Sequence, residues 1–99
     1  PREVATYRVP GTTPHNFWLD EDQGVLYQAW YEAGVRALDV TGELLGELER
    51  QGREIAASDH GGAGSCRGAG TCTWAPQLHR GRIFVSDMGR GLTILDPIF

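Results

Sequence analysis

The chain has 99 residues, with nine Lys or Arg against thirteen Asp or Glu and a net charge of −4, the two signs being mixed along its length. This length sets a ceiling of one modest domain, and without a basic face nucleic acid is excluded as the expected partner. Fourteen Gly and five Pro interrupt the chain too often for long helices to dominate, and no apolar run approaches the roughly 20 residues needed to span a bilayer.

In chain order, Arg2 to Val9 reads as a strand closed by a Pro10-Gly11 turn. A second strand is expected around Phe17-Trp18, a third over Gly24-Val25-Leu26-Tyr27-Gln28-Ala29-Trp30, and a fourth over Gly34-Val35-Arg36-Ala37-Leu38-Asp39. From Val40 to Ala57 two readings compete. Leu44, Leu45, Leu48 and Ile55 have helical spacing, yet Gly42, Gly46 and Gly52 would each cost about 1 kcal/mol inside a helix, so an outer strand is preferred and a short helix is the rival. Residues 58–71 form a Gly-rich insertion, followed by a strand at Trp74, another over Gly81 to Asp87, and a last over Gly91 to Asp96.

These pieces repeat. Gly81, Gly91, Leu95 and Asp96 each stand 57 positions after Gly24, Gly34, Leu38 and Asp39, and in that frame Trp74 falls opposite Phe17-Trp18. Each unit reads as strand, turn, strand, Gly turn, strand. Val35 and Ala37 on one face are matched by Leu92 and Ile94, and Leu38 on the other by Leu95. Apolar residues on both faces imply sheets covered on both sides, as in stacked blades. The expected fold is therefore all-β, about two four-stranded antiparallel blades of a β-propeller in an incomplete ring. Residues 1–10 would be the outer strand of a preceding blade, 14–57 a blade, 58–71 the insertion and 72–99 a partial blade.

The segments Pro14-His15-Asn16, Leu26-Tyr27, Gly34-Val35-Arg36-Ala37-Leu38-Asp39-Val40-Thr41 and Ser86-Asp87-Met88-Gly89-Arg90-Gly91-Leu92-Thr93-Ile94-Leu95-Asp96-Pro97 resemble the LVIVD repeat. The resemblance implies a β-propeller of bacterial and archaeal exported or surface-anchored proteins, and it brings no catalytic residue with it. The sequence departs from the pattern in its insertion, and in carrying Thr71-Cys72-Thr73 where the 57-residue frame expects a second Pro14-His15-Asn16.

Cys66 and Cys72 are expected to form a disulfide, worth roughly 2 kcal/mol in so short a loop and in keeping with an extracellular, periplasmic or cell-surface location. A zinc site is disfavoured, because two Cys and His60 leave the tetrahedron incomplete. His15, at the start of an inner strand, is the histidine placed for ligand contact, with hydrogen bonding to turn backbone as the alternative; His79 shares no ligand spacing with it. Asp39 and Asp96 precede turns and are expected to accept backbone N–H bonds there. Asp87, whose counterpart is Trp30, is a candidate binding residue. Trp18, Trp30, Tyr31 and Trp74 suit packing between blades, although Trp30 and Tyr31 on the turn face would suit carbohydrate or peptide. The glycines of 61–70 do not match a phosphate loop, and Ser65 and Ser86 lack a nucleophile elbow.

The reading that follows is a non-enzymatic scaffold for protein or glycan binding. Its candidate contacts are His15, Asn16, Trp30, Tyr31 and Asp87, and it needs no catalytic residue, metal or cofactor. The chain begins at Pro1 and shows no signal-peptide pattern, so it is expected to be an internal or processed segment. Expected partners are the remaining blades of a parent propeller or further copies of the chain, with open sheet edges favouring association. The alternatives are part of a propeller enzyme, lactonase-like or a quinoprotein, with its site in other blades, and a small α/β domain with a helix over 41–57.

Overall fold

The computed structural model describes residues 1–59, 66 and 70–99. Among these the chain is all-β, with no α-helix. Strands β2 (Phe17–Asp20), β3 (Val25–Ala29), β4 (Val35–Asp39) and β6 (Glu54–Ser58) form a four-stranded antiparallel sheet in chain order. Strands β7 (Thr73–His79), β8 (Arg82–Asp87) and β9 (Gly91–Leu95) form a three-stranded antiparallel sheet. Two short strands, β1 (Ala5–Thr6) and β5 (Gly46–Glu47), pair in parallel.

The two larger sheets repeat in register. Leu26 pairs with Leu38 and Tyr27 with Ala37, while 57 positions later Ile83 pairs with Leu95 and Phe84 with Ile94. The first strands of the sheets do not keep that spacing. Phe17 faces Gln28, but the partner of Val85, the counterpart of Gln28, is Pro76, so β7 lies 59 positions after β2. The cause is the hairpin. Four residues from Glu21 to Gly24 join β2 to β3, whereas only Arg80 and Gly81 join β7 to β8. Both of the latter have positive φ, 49° and 75°, the conformation a tight two-residue hairpin demands. Trp74 is therefore the counterpart of His15, not of Phe17 as the constant frame suggests.

Two further expectations need correction. The outer fourth strand preferred over a helix is present as β6, but it is shorter than expected: pairing with β4 starts only at Glu54, and before it β5 gives way to a single 3-10 turn at Leu48–Arg50. Gly42, Gly46 and Gly52, the residues that make a helix costly, all lie outside that turn. The N-terminal strand is cut to two paired residues, because its chain crosses a sheet face instead of running along an edge. There Tyr7 meets the Trp30 ring edge-on at 5.8 Å.

The core lies between the two sheets. Val25, Tyr27, Val35 and Ala37 from the first pack against Ile83 and Val85 from the second, with Leu78, Leu95 and Ala56 at the margin. Val85 is fully buried and Tyr27 is 3% exposed. Burial of this kind contributes on the order of 1.5–3 kcal/mol per large apolar side chain. The face is built by strand alternation: residues paired across the ladder share a side, so odd positions of β3 and β4 meet the side of β8 that carries Ile83 and Val85.

Candidate functional site

At the start of β2, the His15 N–H donates to the Ala29 carbonyl (2.9 Å), and the Ala29 N–H donates to the Asn16 carbonyl (3.0 Å). Two residues of one strand thus oppose one of the other, a β-bulge, which is a device that redirects a side chain. The second sheet has the same irregularity, with Thr73 paired to Asp87 and Ala75 to Ser86, leaving Trp74 as the extra residue. The buried Gln28 amide fixes the first bulge by donating to the carbonyls of His15 (2.9 Å), Asn16 (3.3 Å) and Ala29 (3.0 Å).

The two bulges meet. The Asn16 N–H donates to the Trp74 carbonyl at 3.2 Å, and His15 Nδ1 lies 3.0 Å from the same oxygen. The His15 and Trp74 rings are 4.1 Å apart between centroids, and Tyr31 stands edge-on to both, at 5.3 Å from His15 and 6.0 Å from Trp74. Tyr31 reaches this position through a backbone with φ of 37°, which is uncommon for a bulky residue. Its carbonyl in turn accepts the Thr73 N–H at 2.8 Å. An observed outlier at a ring cluster is a legitimate pointer to function.

Trp74 is 38% exposed, and His15, Asn16, Phe17 and Trp18 line a groove of ≈ 260 Å³ against Ala75, Pro76 and Gln77. Cys66 and Cys72 are joined as a disulfide, with Cα atoms 4.8 Å apart. Glu32 Oε2 lies 4.0 Å from Cys66 Sγ, which places the disulfide beside the Tyr31 turn.

Of the five candidate contacts, His15, Asn16 and Tyr31 come together here. Trp30 does not: it is buried at 4% exposure, and among the described residues its Nε1–H has no partner. Asp87 has an internal task. Its carboxylate accepts N–H bonds from Cys72 (3.0 Å), Gly89 (2.8 Å) and Arg90 (3.0 Å), and the Thr73 hydroxyl lies 3.2 Å away. Asp39 accepts from the Thr41 N–H (2.8 Å) and hydroxyl (2.6 Å), and these bonds hold its carboxyl below the usual carboxylate range. Asp96 pairs with Arg82. His79 stands edge-on to Phe84 at 6.1 Å.

Trp74 is the site residue the sequence frame misplaced, and Gln28 is the one it overlooked. A lone amide in an otherwise apolar strand was the available signal for Gln28. Among the described residues no three His, Cys, Asp or Glu side chains gather as metal ligands, and no helix is long and apolar enough to cross a membrane. His60, Ser65 and most of the Gly-rich insertion lie outside the described residues. No family model, curated protein or solved structure matches the chain.

The site offers stacking faces, one imidazole and one amide. Such a set can hold a sugar ring or a peptide side chain by stacking and hydrogen bonding.

Proposed function

We propose that the chain is a β-propeller repeat segment of an exported or cell-surface protein, and that it acts as a non-enzymatic scaffold for protein or glycan contact. The observation that carries this reading is the convergence of two equivalent bulges, which set His15 and Trp74 side by side under Tyr31 at one rim of paired sheets. Rigid sheets carrying recognition groups at strand ends and turns are a common division of labour. Two sheets of one design packed face to face support the blade reading, and the disulfide supports an oxidising compartment.

The test is to probe glycan and peptide arrays with the purified chain and to titrate any hit by tryptophan fluorescence. His15→Ala and Trp74→Ala should each weaken binding about tenfold or more, as expected for a stacking anchor, while the exposed Leu45→Ala, away from the site, should not. No ligand at millimolar concentration, or a ligand indifferent to both site variants, would sink the assignment.

A further inference from the structure

The core interface contains its own continuation. In the first sheet, Tyr27, Val35 and Ala37 are buried, at 3%, 3% and 4% exposure, because the second sheet lies on them. Their register counterparts in the second sheet are Phe84, Leu92 and Ile94. These share one face, and there Leu92 is 65% and Ile94 53% exposed. The same register positions, apolar in both sheets, are thus covered in the first and, at Leu92 and Ile94, open in the second.

The complementary half of the contact also occurs twice. The second sheet covers Tyr27 and its neighbours with Leu78, Ile83 and Leu95. The counterparts of these three on the outer side of the first sheet are Leu19, Leu26 and Leu38. Leu38, at 2% exposure, is already covered, with the N-terminal segment and Leu48 over that end of the side, and the Leu19 end is left open. Leu19 remains 43% exposed, and it lines an apolar groove of ≈ 530 Å³ with Leu26, Val40 and Leu44.

We infer that the open Phe84, Leu92 and Ile94 face of one copy docks on the Leu19 and Leu26 face of a second copy. The contact would repeat between chains the part of the internal interface whose counterparts, Leu19 and Leu26, are not already covered. The inference rests on the repeat-segment reading above. The occupant is a second copy because, among the described residues, the surface that fits this pattern is a sheet of this repeat, and the chain carries a half-open example of it on its opposite side. Such a contact is heterologous, so it closes into a ring where the rotation permits and otherwise propagates.

The test uses three proteins in sedimentation velocity and light scattering: the unaltered chain, a Leu92→Glu/Ile94→Glu variant and a Leu19→Glu variant. The unaltered chain should associate at micromolar to submillimolar concentration. Each variant should self-associate about 100-fold more weakly, since charges replace exposed apolar residues. An equimolar mixture of the two should form a 1:1 dimer, because each keeps the face the other has lost. Hydrogen exchange of the unaltered chain gives an independent readout, as amides of β2 and β9 should gain protection with rising concentration. A monomer at all concentrations overturns the inference, as does a variant that still dimerises alone or a mixture that stays monomeric. A cooperative β-rich melt in such a monomer would leave the repeat reading standing, whereas a chain without β signal would remove both.

Discussion

Gly34→Ala and Gly91→Ala occupy the same place in the two sheets, yet they should differ sharply in cost. Both glycines have left-handed φ, 75° and 79°, so either alanine brings backbone strain of roughly 1–2 kcal/mol. At Gly91 a Cβ would meet nothing within 4 Å. At Gly34 it would lie 2.0 Å from the Ser58 carbonyl oxygen and 2.6 Å from Asp59 Cα. That neighbour is backbone and cannot swing aside, so the end of β6 must move by more than about 1 Å from β4 to restore ordinary contact near 3.5 Å. The Val35–Ser58 pairing would then be lost, at about 1 kcal/mol for each backbone hydrogen bond, along with burial of Val35. We expect about 4 kcal/mol for Gly34→Ala against 1–2 for Gly91→Ala. At 4–8 °C per kcal/mol for a domain of this size, the two melting points should differ by about 10 °C or more. Paired thermal and guanidinium unfolding measures this directly. Equal losses, within about 0.5 kcal/mol, would refute the close approach of β6 to the Gly34 turn.

Val85→Ala, at the fully buried centre of the sheet interface, should cost about 2–3 kcal/mol, read from denaturant midpoints. Asp87→Ala should cost about 3 kcal/mol or more, since it strands the buried Cys72 N–H and two half-buried amides, and a loss under 1 kcal/mol would show that the carboxylate is not needed there. Reducing the Cys66–Cys72 bond should lower stability by about 2 kcal/mol, seen as a drop in melting point on adding a phosphine reductant. Burial, reinforced by the hydrogen bond to Glu54, raises the Tyr7 pKa well above 10, and burial also raises that of Tyr27. The unfolded chain therefore loses these protons first, near pH 10, so the native state should hold its stability below that pH and lose it progressively above. Tyr7→Phe should flatten much of that alkaline decline in a pH series of melts.

The strands that were easiest to read were those where alternation and a preceding glycine agreed: Val25 to Ala29, Val35 to Asp39, and their counterparts after Gly81 and Gly91. The turn role of Asp39 and the Cys66–Cys72 pairing were equally legible, because both depend on local spacing. What the sequence hid was set by neighbours distant along the chain. Trp30 is sequestered by Tyr7, twenty-three residues before it, and Asp87 is tied inward to the buried amide of Cys72, fifteen residues before it. The stretch from Val40 to Ala57 was legible only at its end, where the expected outer strand is β6; before it, leucine spacing and glycine placement pull in different directions, and the structure satisfies each over only a few residues. The site itself was half legible: His15, Asn16 and Tyr31 could be singled out by type and position, but their partner Trp74 could not be aligned while the hairpins were taken to be equal in length.

That difference in hairpin length changes the chemistry of the rim while leaving the packing intact. Shortening a strand connection by one residue would exchange the inward and outward sides of everything before it, sending Leu78 out of the core. Shortening it by two keeps parity, so Pro76 and Leu78 still face inward where Phe17 and Leu19 share the matching side of β2. What changes is the residue delivered to the bulge. An even step along β7 brings Trp74 to the place His15 fills in β2, so a repeat of this kind can exchange one recognition group for another by steps of two while its sheets keep the same register.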